Sequence, residues 1–205
     1  MGTKSIRVFG LGGHGRELAG IAEAAGYVCE GYYDDVVPAG PTPFGLCFGK
    51  LETNSSGAPV VVGIGEPLSR SRAVGRLVEA GVTFADAIVH PTAAIGPRVR
   101  LSAGVVVGSN SSITADTTVA PHSHLHSGVV VSHDCSIGRY CLVGPRVALA
   151  GGVNVGDFVF LGVGVSVSPS VSIGDKALVG AGAAVITDVV ANAVVAGVPA
   201  RGIDR

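Results

Sequence analysis

The chain of 205 residues carries a formal net charge of −1 at pH 7 and has no tryptophan. This balance gives no reason to expect a polyanionic partner, so nucleic-acid binding is not predicted. The sequence has no run of about eighteen apolar residues and no basic stretch leading into a cleavable apolar segment. We therefore expect a cytoplasmic protein with no membrane partner.

The N-terminal part predicts a small parallel sheet of the Rossmann type, with helices between the strands. Apolar runs rich in branched residues indicate strands, and apolar spacings of three and four indicate helices. A looser stretch with Pro38, Pro41 and Pro43 follows the second strand. The predicted strands span 5–11, 27–33 and 60–64, the helices span 16–25 and 67–80, and a turn is expected at 54–57.

A glycine-rich turn, Gly10-Leu11-Gly12-Gly13-His14-Gly15, joins the first strand to the first helix. It fits the dinucleotide pattern G-x-G-x-x-G, and the acidic Asp34 lies about twenty residues further on. An NAD enzyme is therefore an alternative, although the segment is too short for both halves of a full dinucleotide fold. A single half can hold one nucleotide phosphate on the amides of the helix N-terminus. A tight turn that binds nothing is the remaining interpretation.

The second half of the chain repeats an aliphatic residue at every sixth position without a break. This period fits neither a helix nor a plain strand and is typical of a parallel β-helix with three hexads in each coil. The repeat supplies about five coils of 18 residues. The repeat positions are Ile95, Leu101, Val107, Ile113, Val119, Leu125, Val131, Ile137, Val143, Leu149, Val155, Leu161, Val167, Ile173, Val179 and Val185.

Small residues surround the repeat positions. The residue after each one is often glycine, which indicates a sharp corner with little room for a side chain. Cys135 and Cys141 both stand two residues before a repeat position, where side chains point inward. We therefore predict that they are buried, inert thiols and form neither nucleophiles nor disulfides.

Four histidines, His122, His124, His126 and His133, lie within twelve residues. They fall on different hexads, and no carboxylate or thiolate completes a ligand set, so no metal site is predicted. His133 is different because it follows Val131 by two residues and should project outward. The adjacent carboxylate of Asp134 can hold the imidazole in one tautomer and make it a better general base.

Gly151 follows His133 by one coil of 18 residues. Because stacked strands lie about 4.8 Å apart, the amide of this glycine should lie beside the imidazole. There it can stabilise an oxyanion. The spacing therefore predicts a general base and an oxyanion donor on one corner of the β-helix.

Taken together, these segments resemble the bacterial nucleotide-sugar acetyltransferases of the hexapeptide-repeat family. This group includes sialic acid O-acetyltransferases and UDP-4-amino-sugar N-acetyltransferases. The resemblance spans nearly the whole chain. It rests on the glycine turn, the acidic pair after the second strand, the hexapeptide repeat, Ser132-His133-Asp134-Cys135-Ser136-Ile137-Gly138 and Ala196-Gly197-Val198-Pro199-Ala200.

The resemblance implies a left-handed β-helix, a homotrimer and acetyl-CoA bound between neighbouring β-helices, with no metal required. It implies a nucleotide-sugar-binding domain at 1–88 and an acyltransferase domain with a C-terminal tail at 89–205. It implies His133, Asp134 and Gly151 as catalytic residues and Leu142, Gly151, Val163 and Ala181 as the acetyl-CoA site. The implied substrate-binding residues are Gly12, Gly13, His14, Asp34, Asp35, Gly65 and His126.

Two positions depart from the family pattern. His126 stands where the N-acetyltransferases tend to have asparagine, and Leu142 stands where they often have a histidine that touches the thioester end of acetyl-CoA. The expected activity is direct transfer of acetyl from acetyl-CoA to the amino group of a nucleotide-linked sugar. A sugar hydroxyl and a non-sugar acceptor such as an amino acid remain alternatives. So does a non-catalytic scaffold or a carbonic anhydrase relative, which would need three zinc-binding histidines converging between subunits.

Overall fold

A computed structural model of the chain describes residues 4–51 and 57–203. Its N-terminal part is a five-stranded sheet with two helices. The strands follow the order β3-β4-β2-β1-β5, and all neighbours are parallel except β3 and β4, which form a hairpin. The elements are β1 (Lys4–Phe9), α1 (Gly13–Ala24), β2 (Tyr27–Tyr33), β3 (Gly40–Thr42), β4 (Gly45–Cys47), β5 (Val60–Val62) and α2 (Pro67–Glu79).

The two helices cover opposite faces of this sheet, because side chains alternate along each strand. Ile6 and Val8 of β1 pack into the core under α1 with Leu18. Phe9 packs into the other core with Leu77 of α2. Both faces of the sheet are therefore buried, as the continuous apolar runs indicate.

The remainder of the described chain is a β-solenoid of short parallel strands. From Ile88 to Val167, each strand pairs with the strand eighteen residues further on, as Ile113 does with Val131. The strands are β6 (Ile88–Val89), β7 (Ala94–Ile95), β8 (Arg100–Leu101), β9 (Val106–Val107), β10 (Ser112–Ile113), β11 (Thr118–Val119), β12 (His124–Leu125), β13 (Val130–Val131), β14 (Ser136–Ile137), β15 (Leu142–Val143), β16 (Ala148–Leu149), β17 (Asn154–Val155), β18 (Phe160–Leu161), β19 (Ser166–Val167), β20 (Ser172–Ile173), β21 (Leu178–Val179), β22 (Ala184–Val185), β23 (Val194–Ala196) and β24 (Arg201–Gly202).

These strands form the three faces of the solenoid. The first face runs from β7 to β22, and the second from β8 to β20. The third face runs from β6 to β23, with β24 added antiparallel at its end. The sequence prediction of a parallel coil of three hexads is confirmed, and β6 shows that the first strand of the solenoid begins at Ile88.

The repeat positions fill the interior of the solenoid. Every one of them from Val107 to Val185 is buried, whereas Ile95, in the first coil, is 39% exposed. The glycines that follow them are needed for close approach, since a Cβ on Gly96 would overlap Thr114 O of the next coil. Positive φ angles occur three residues after a repeat position, as at Asp134, which follows Val131 and has φ 58°. The corner therefore uses glycine for space and accepts other residues in the left-handed conformation.

The N-terminal sheet is fixed to the third face of the solenoid by Arg70 of α2. Its guanidinium is fully buried and donates to the carbonyls of Ile64 and Gly65 and to those of His122, Tyr140 and Cys141. Burial lowers the pKa of Arg70 to about 10, so the group remains charged at neutral pH. One cation thus satisfies carbonyls from both parts of the fold.

An aromatic ladder runs along the same seam. The His122 ring meets Phe84 edge-on at 4.8 Å between centroids and stacks on Tyr140 at 5.5 Å, and Tyr140 stacks on Phe158 at 5.2 Å. His122, Tyr140 and Phe158 occupy equivalent corner positions in successive coils, with φ between 57° and 60°. The ladder continues the contact between the two parts of the chain.

Several local predictions need correction. Helix α1 begins at Gly13, three residues before the predicted start, because Gly15 packs so tightly on the first strand that a Cβ there would overlap Gly10 O. The proline-rich stretch contains the unpredicted hairpin of β3 and β4. The turn expected at 54–57 lies almost entirely outside the described residues. None of the helices in the described ranges is long and apolar enough to cross a bilayer.

Candidate active site

His133 lies at the corner that follows β13 and points away from the solenoid core. Its side chain is 66% exposed, and Nδ1 lies 2.7 Å from Asp134 Oδ2. Because Nδ1 is engaged by this carboxylate, Nε2 is the ring nitrogen left for chemistry. The outward orientation predicted from the repeat is confirmed. This imidazole has the partner and the exposure that a general base requires.

Gly151 lies directly against the ring of His133, one coil along the solenoid. A Cβ built on Gly151 would lie 2.7 Å from both Cε1 and Nε2 of His133. The backbones are also joined, since Gly152 N–H donates to His133 O at 2.9 Å. The Gly151 N–H donates to no acceptor among the described residues. It is therefore a free donor next to the candidate base.

The glycine turn borders a cavity of about 400 Å³ at the carboxyl ends of β1 and β5. The N-cap of α1 is Gly12, which has no side chain to cap the helix, so the first amides of the helix are left for another acceptor. Helix N-termini of this kind favour phosphate groups. The cavity brings together six of the seven predicted substrate-binding residues: Gly12, Gly13, His14, Asp34, Asp35 and Gly65.

The two acidic residues at this cavity have different roles. Asp34 accepts hydrogen bonds from the backbone N–H groups of Leu11, Val36 and Val37. Burial raises the pKa of Asp34, but these three donors lower it more, so the net pKa lies below the usual value. Asp35 pairs with Arg76 Nη2 at 2.7 Å. The Asp34 carboxylate therefore holds the turn in shape, and Asp35 presents an ion pair at the cavity edge.

The histidine-rich segment meets α1 behind this cavity. His14 Nε2 lies 2.9 Å from His124 Nδ1, and His126 Nδ1 lies 3.2 Å from Glu17 Oε1. Burial lowers the pKa of His14 to about 3, with further lowering by His126 and Arg70, and burial lowers the pKa of His124 well below its ordinary value. Both rings are therefore neutral at physiological pH. His126, the seventh predicted substrate-binding residue, contacts the ring of His14 at 5.0 Å between centroids.

The residues predicted to line acetyl-CoA lie on two different parts of the solenoid. Leu142 is in β15 on the third face, where it is only 9% exposed, and pairs with His124 and Phe160 of the neighbouring coils. Val163 is 54% exposed, and Ala181 is exposed one coil further on. Within one chain, the described residues therefore do not bring Leu142 to the corner that carries His133.

Sequence reasoning did not predict the roles of three residues that shape this region. Arg70 occupies the buried stripe of α2 with Ala73, Val74 and Leu77, and a charge at such a position is a signal for a buried pairing. Glu17 and His124 gave no comparable signal, because their partners are more than one hundred residues away in sequence. Cys135 and Cys141 are buried free thiols as predicted, and burial raises the pKa of Cys141 to about 12.

No protein-family model and no curated protein matches the chain. Solved structures do. A histidine-to-asparagine mutant of perosamine N-acetyltransferase from Caulobacter crescentus, in complex with CoA and GDP-perosamine, is 31% identical, with a TM-score of 0.90. The alignment covers 98% of this chain and 97% of that one.

Two further structures extend this similarity. The acetyltransferase domain of PglB from Neisseria gonorrhoeae, in complex with acetyl coenzyme A, is 27% identical with a TM-score of 0.79, and the match covers 98% of this chain and all of that one. WeeI from Acinetobacter baumannii is 22% identical and shares the fold, with a TM-score of 0.85 over 98% of this chain and all of that one. The chain therefore belongs to the bacterial nucleotide-sugar acetyltransferases of the hexapeptide-repeat family.

Proposed function

We propose that the protein transfers the acetyl group of acetyl-CoA directly to the amino group of a nucleotide-linked amino sugar. The observation that carries this proposal is the contact between the ring of His133 and Gly151 on a chain that matches perosamine N-acetyltransferase along its whole length. The relative's complex with CoA and GDP-perosamine makes that nucleotide-sugar the first acceptor to test. The comparisons favour N-acetylation over the hydroxyl and non-sugar alternatives.

The proposed chemistry uses three groups of one solenoid corner. His133 Nε2 accepts a proton from the neutral amine as its nitrogen attacks the thioester carbonyl carbon, and the Gly151 N–H donates to the developing oxyanion. The C–S bond then breaks, the nitrogen keeps the acetyl group, and the proton held by His133 passes to the sulfur of coenzyme A. Asp134 holds the ring so that Nε2 faces the amine. Atoms balance without a covalent acetyl-enzyme.

We further propose that the cavity at the glycine turn receives the nucleotide-sugar. Phosphate or sugar can contact the amides of Gly12 and Gly13 and the ring of His14. Gly65 lies opposite, where an added Cβ would be 3.9 Å from the His14 ring. Asp34 supports the turn, and Asp35 and His126 complete the walls. This assigns to 1–88 a Rossmann-like, nucleotide-sugar-binding role and to 89–205 the acyl-transfer role.

His133 and the glycine-turn cavity are separate surfaces of one chain, so we propose that subunits of a homotrimer bring them together. Exposed apolar side chains on the solenoid support such an interface, among them Val130, Val163 and Ile186, each more than 40% exposed. Acetyl-CoA would lie in the groove between two left-handed solenoids, against Val163 and Ala181, with Leu142 beneath the acceptor end. A cytoplasmic location fits these two metabolites.

The decisive experiment is incubation of the purified protein with acetyl-CoA and nucleotide-linked amino sugars, with product mass as the readout. A gain of one acetyl group that depends on His133 is expected. The variant His133→Ala should lower kcat at least 10²-fold and leave acetyl-CoA binding nearly unchanged, because a general base contributes about 10²–10⁴-fold. Retention of activity by this variant would show that the base is another residue.

A further inference from the structure

Three potential metal ligands from two parts of the fold meet behind the glycine turn. His14 and Glu17 lie one helical turn apart on α1, and His126 follows β12 on the third face of the solenoid. Glu17 Oε1 lies 3.2 Å from His126 Nδ1, and Glu17 Oε2 lies 3.7 Å from His14 Nδ1. One ligand atom can be chosen from each residue so that no two of the three are more than 4.8 Å apart.

These separations fit the coordination shell of a small divalent cation. Zinc binds imidazole nitrogen at about 2.0–2.1 Å and carboxylate oxygen at about 2.0–2.2 Å, which places tetrahedral ligands roughly 3.3 Å from one another. Both nitrogen–oxygen distances to Glu17 lie within about half an ångström of that value. The three ligand atoms lie within 4.8 Å of one another, so binding an ion would require the His126 ring to move toward the other two ligands. Two histidines and one carboxylate leave the fourth position to water.

A buried second histidine supports the same site from behind. His124 is 1% exposed, and its Nδ1 lies 2.9 Å from His14 Nε2, which fixes the plane of the His14 ring. Metal-bound histidines usually engage their other ring nitrogen in such an outer contact. Within 4–51 and 57–203, His124 Nε2 is the buried side-chain nitrogen or oxygen left without a hydrogen-bond partner. A buried nitrogen without a hydrogen-bond partner lowers stability. We infer that His124 occupies this position because its other nitrogen orients His14.

We propose that His14, Glu17 and His126 bind one divalent transition-metal ion of the zinc class, with His124 as the outer support. The sequence predicted no metal because the histidine-rich segment has no carboxylate nearby, but the fold supplies Glu17 from a position 109 residues away. The ion would join α1 to the solenoid across the seam. The site shares His14 and His126 with the nucleotide-sugar cavity proposed above, and its test reads metal binding alone.

The test uses the full chain after removal of metal with a chelator. Titration with Co²⁺ should show one ion bound per chain and the visible absorption of a four-coordinate site, and Zn²⁺ should displace it and raise the unfolding temperature. Glu17→Gln and His126→Asn should each weaken Co²⁺ binding at least tenfold. The matched control is His90→Asn, since the half-buried side chain of His90 pairs only with Thr92 among the described residues.

Three results would overturn the proposal. They are the absence of Co²⁺ binding at one equivalent in the wild-type chain, wild-type binding of Co²⁺ in both ligand variants, and equal weakening of binding by His90→Asn. The unfolding temperatures of the metal-free variants show whether any loss of binding reflects loss of the fold. Because binding is read without acetyl-CoA or sugar, failure here would leave the acetyl-transfer proposal intact.

Discussion

Substituting Gly151 by alanine isolates the placement of the proposed base. The added Cβ would lie 2.7 Å from Cε1 and Nε2 of His133. Ordinary carbon contacts lie at about 3.5 Å or more, so the ring has to move by roughly 0.8 Å. The ring is exposed and can move at little cost to stability. The amide of residue 151 is kept, so the change displaces the base and spares the oxyanion donor.

A displacement near 1 Å in a catalytic group costs about 10²-fold in rate. We therefore expect Gly151→Ala to lower kcat by about 10–100-fold while the unfolding temperature stays within a few degrees of wild type. The assay follows release of the coenzyme A thiol at saturating acetyl-CoA, alongside a thermal melt. The control is Gly20→Ala on α1, where an added Cβ meets nothing within 4 Å. A wild-type kcat for Gly151→Ala, or a melt lowered by ten degrees or more, would refute the reasoning.

Three other predictions concern the seam and the core. Burial lowers the pKa of His122 to about 4, so below about pH 6.5 the unfolded chain binds a proton at this residue that the native chain does not bind. The free energy of unfolding therefore falls by about 1.4 kcal/mol for each pH unit below about 6.5. The variant His122→Phe places at this corner the residue type that Phe158 provides two coils further on. In urea titrations it should reduce the pH slope of the unfolding free energy by about that amount, and an unchanged slope would contradict this prediction. Arg70→Met should lower the free energy of unfolding by about 3–5 kcal/mol in the same titrations, because five carbonyls lose their donor. A decrease below about 1 kcal/mol would show that water replaces the guanidinium. Burial raises the pKa of Cys141 to about 12, so this thiol should react with a thiol reagent only after unfolding. Modification of Cys141 in the native protein, detected by peptide mass, would show that the thiol is not buried in the solenoid.

Sequence reasoning predicted the parts of the fold in which apolar residues recur at a regular spacing along the chain. Val131 and its equivalents specify the solenoid interior because the inward position returns every six residues, and the register of His133 with Gly151 follows from that count alone. Arg70 and Glu17 were not predictable in the same way. Their partners come from the other part of the chain, and only the packing of α1 and α2 on the third face brings them into contact.

The correction at the start of α1 has the same origin. Helical spacing of apolar residues begins at Leu18, so the pattern gave no sign that Gly13 and His14 already belong to the helix. The backbone contact between Gly15 and Gly10 draws the helix onto the strand and sets that boundary. As a result, His14 stands on the first turn of α1, on the same side as Glu17, which places both beside the solenoid.

The eighteen-residue pairing of successive coils restricts how the length of this molecule can change during evolution. Removing one complete coil before His133, such as 95–112, keeps the inward positions in phase and leaves the base beside Gly151. Deleting six residues between 133 and 151 would instead place the glycine at a different corner of the solenoid, away from His133. Homologues with longer or shorter tubes should therefore differ by whole coils, and laboratory chimaeras joined at equivalent corners should retain the paired imidazole and amide.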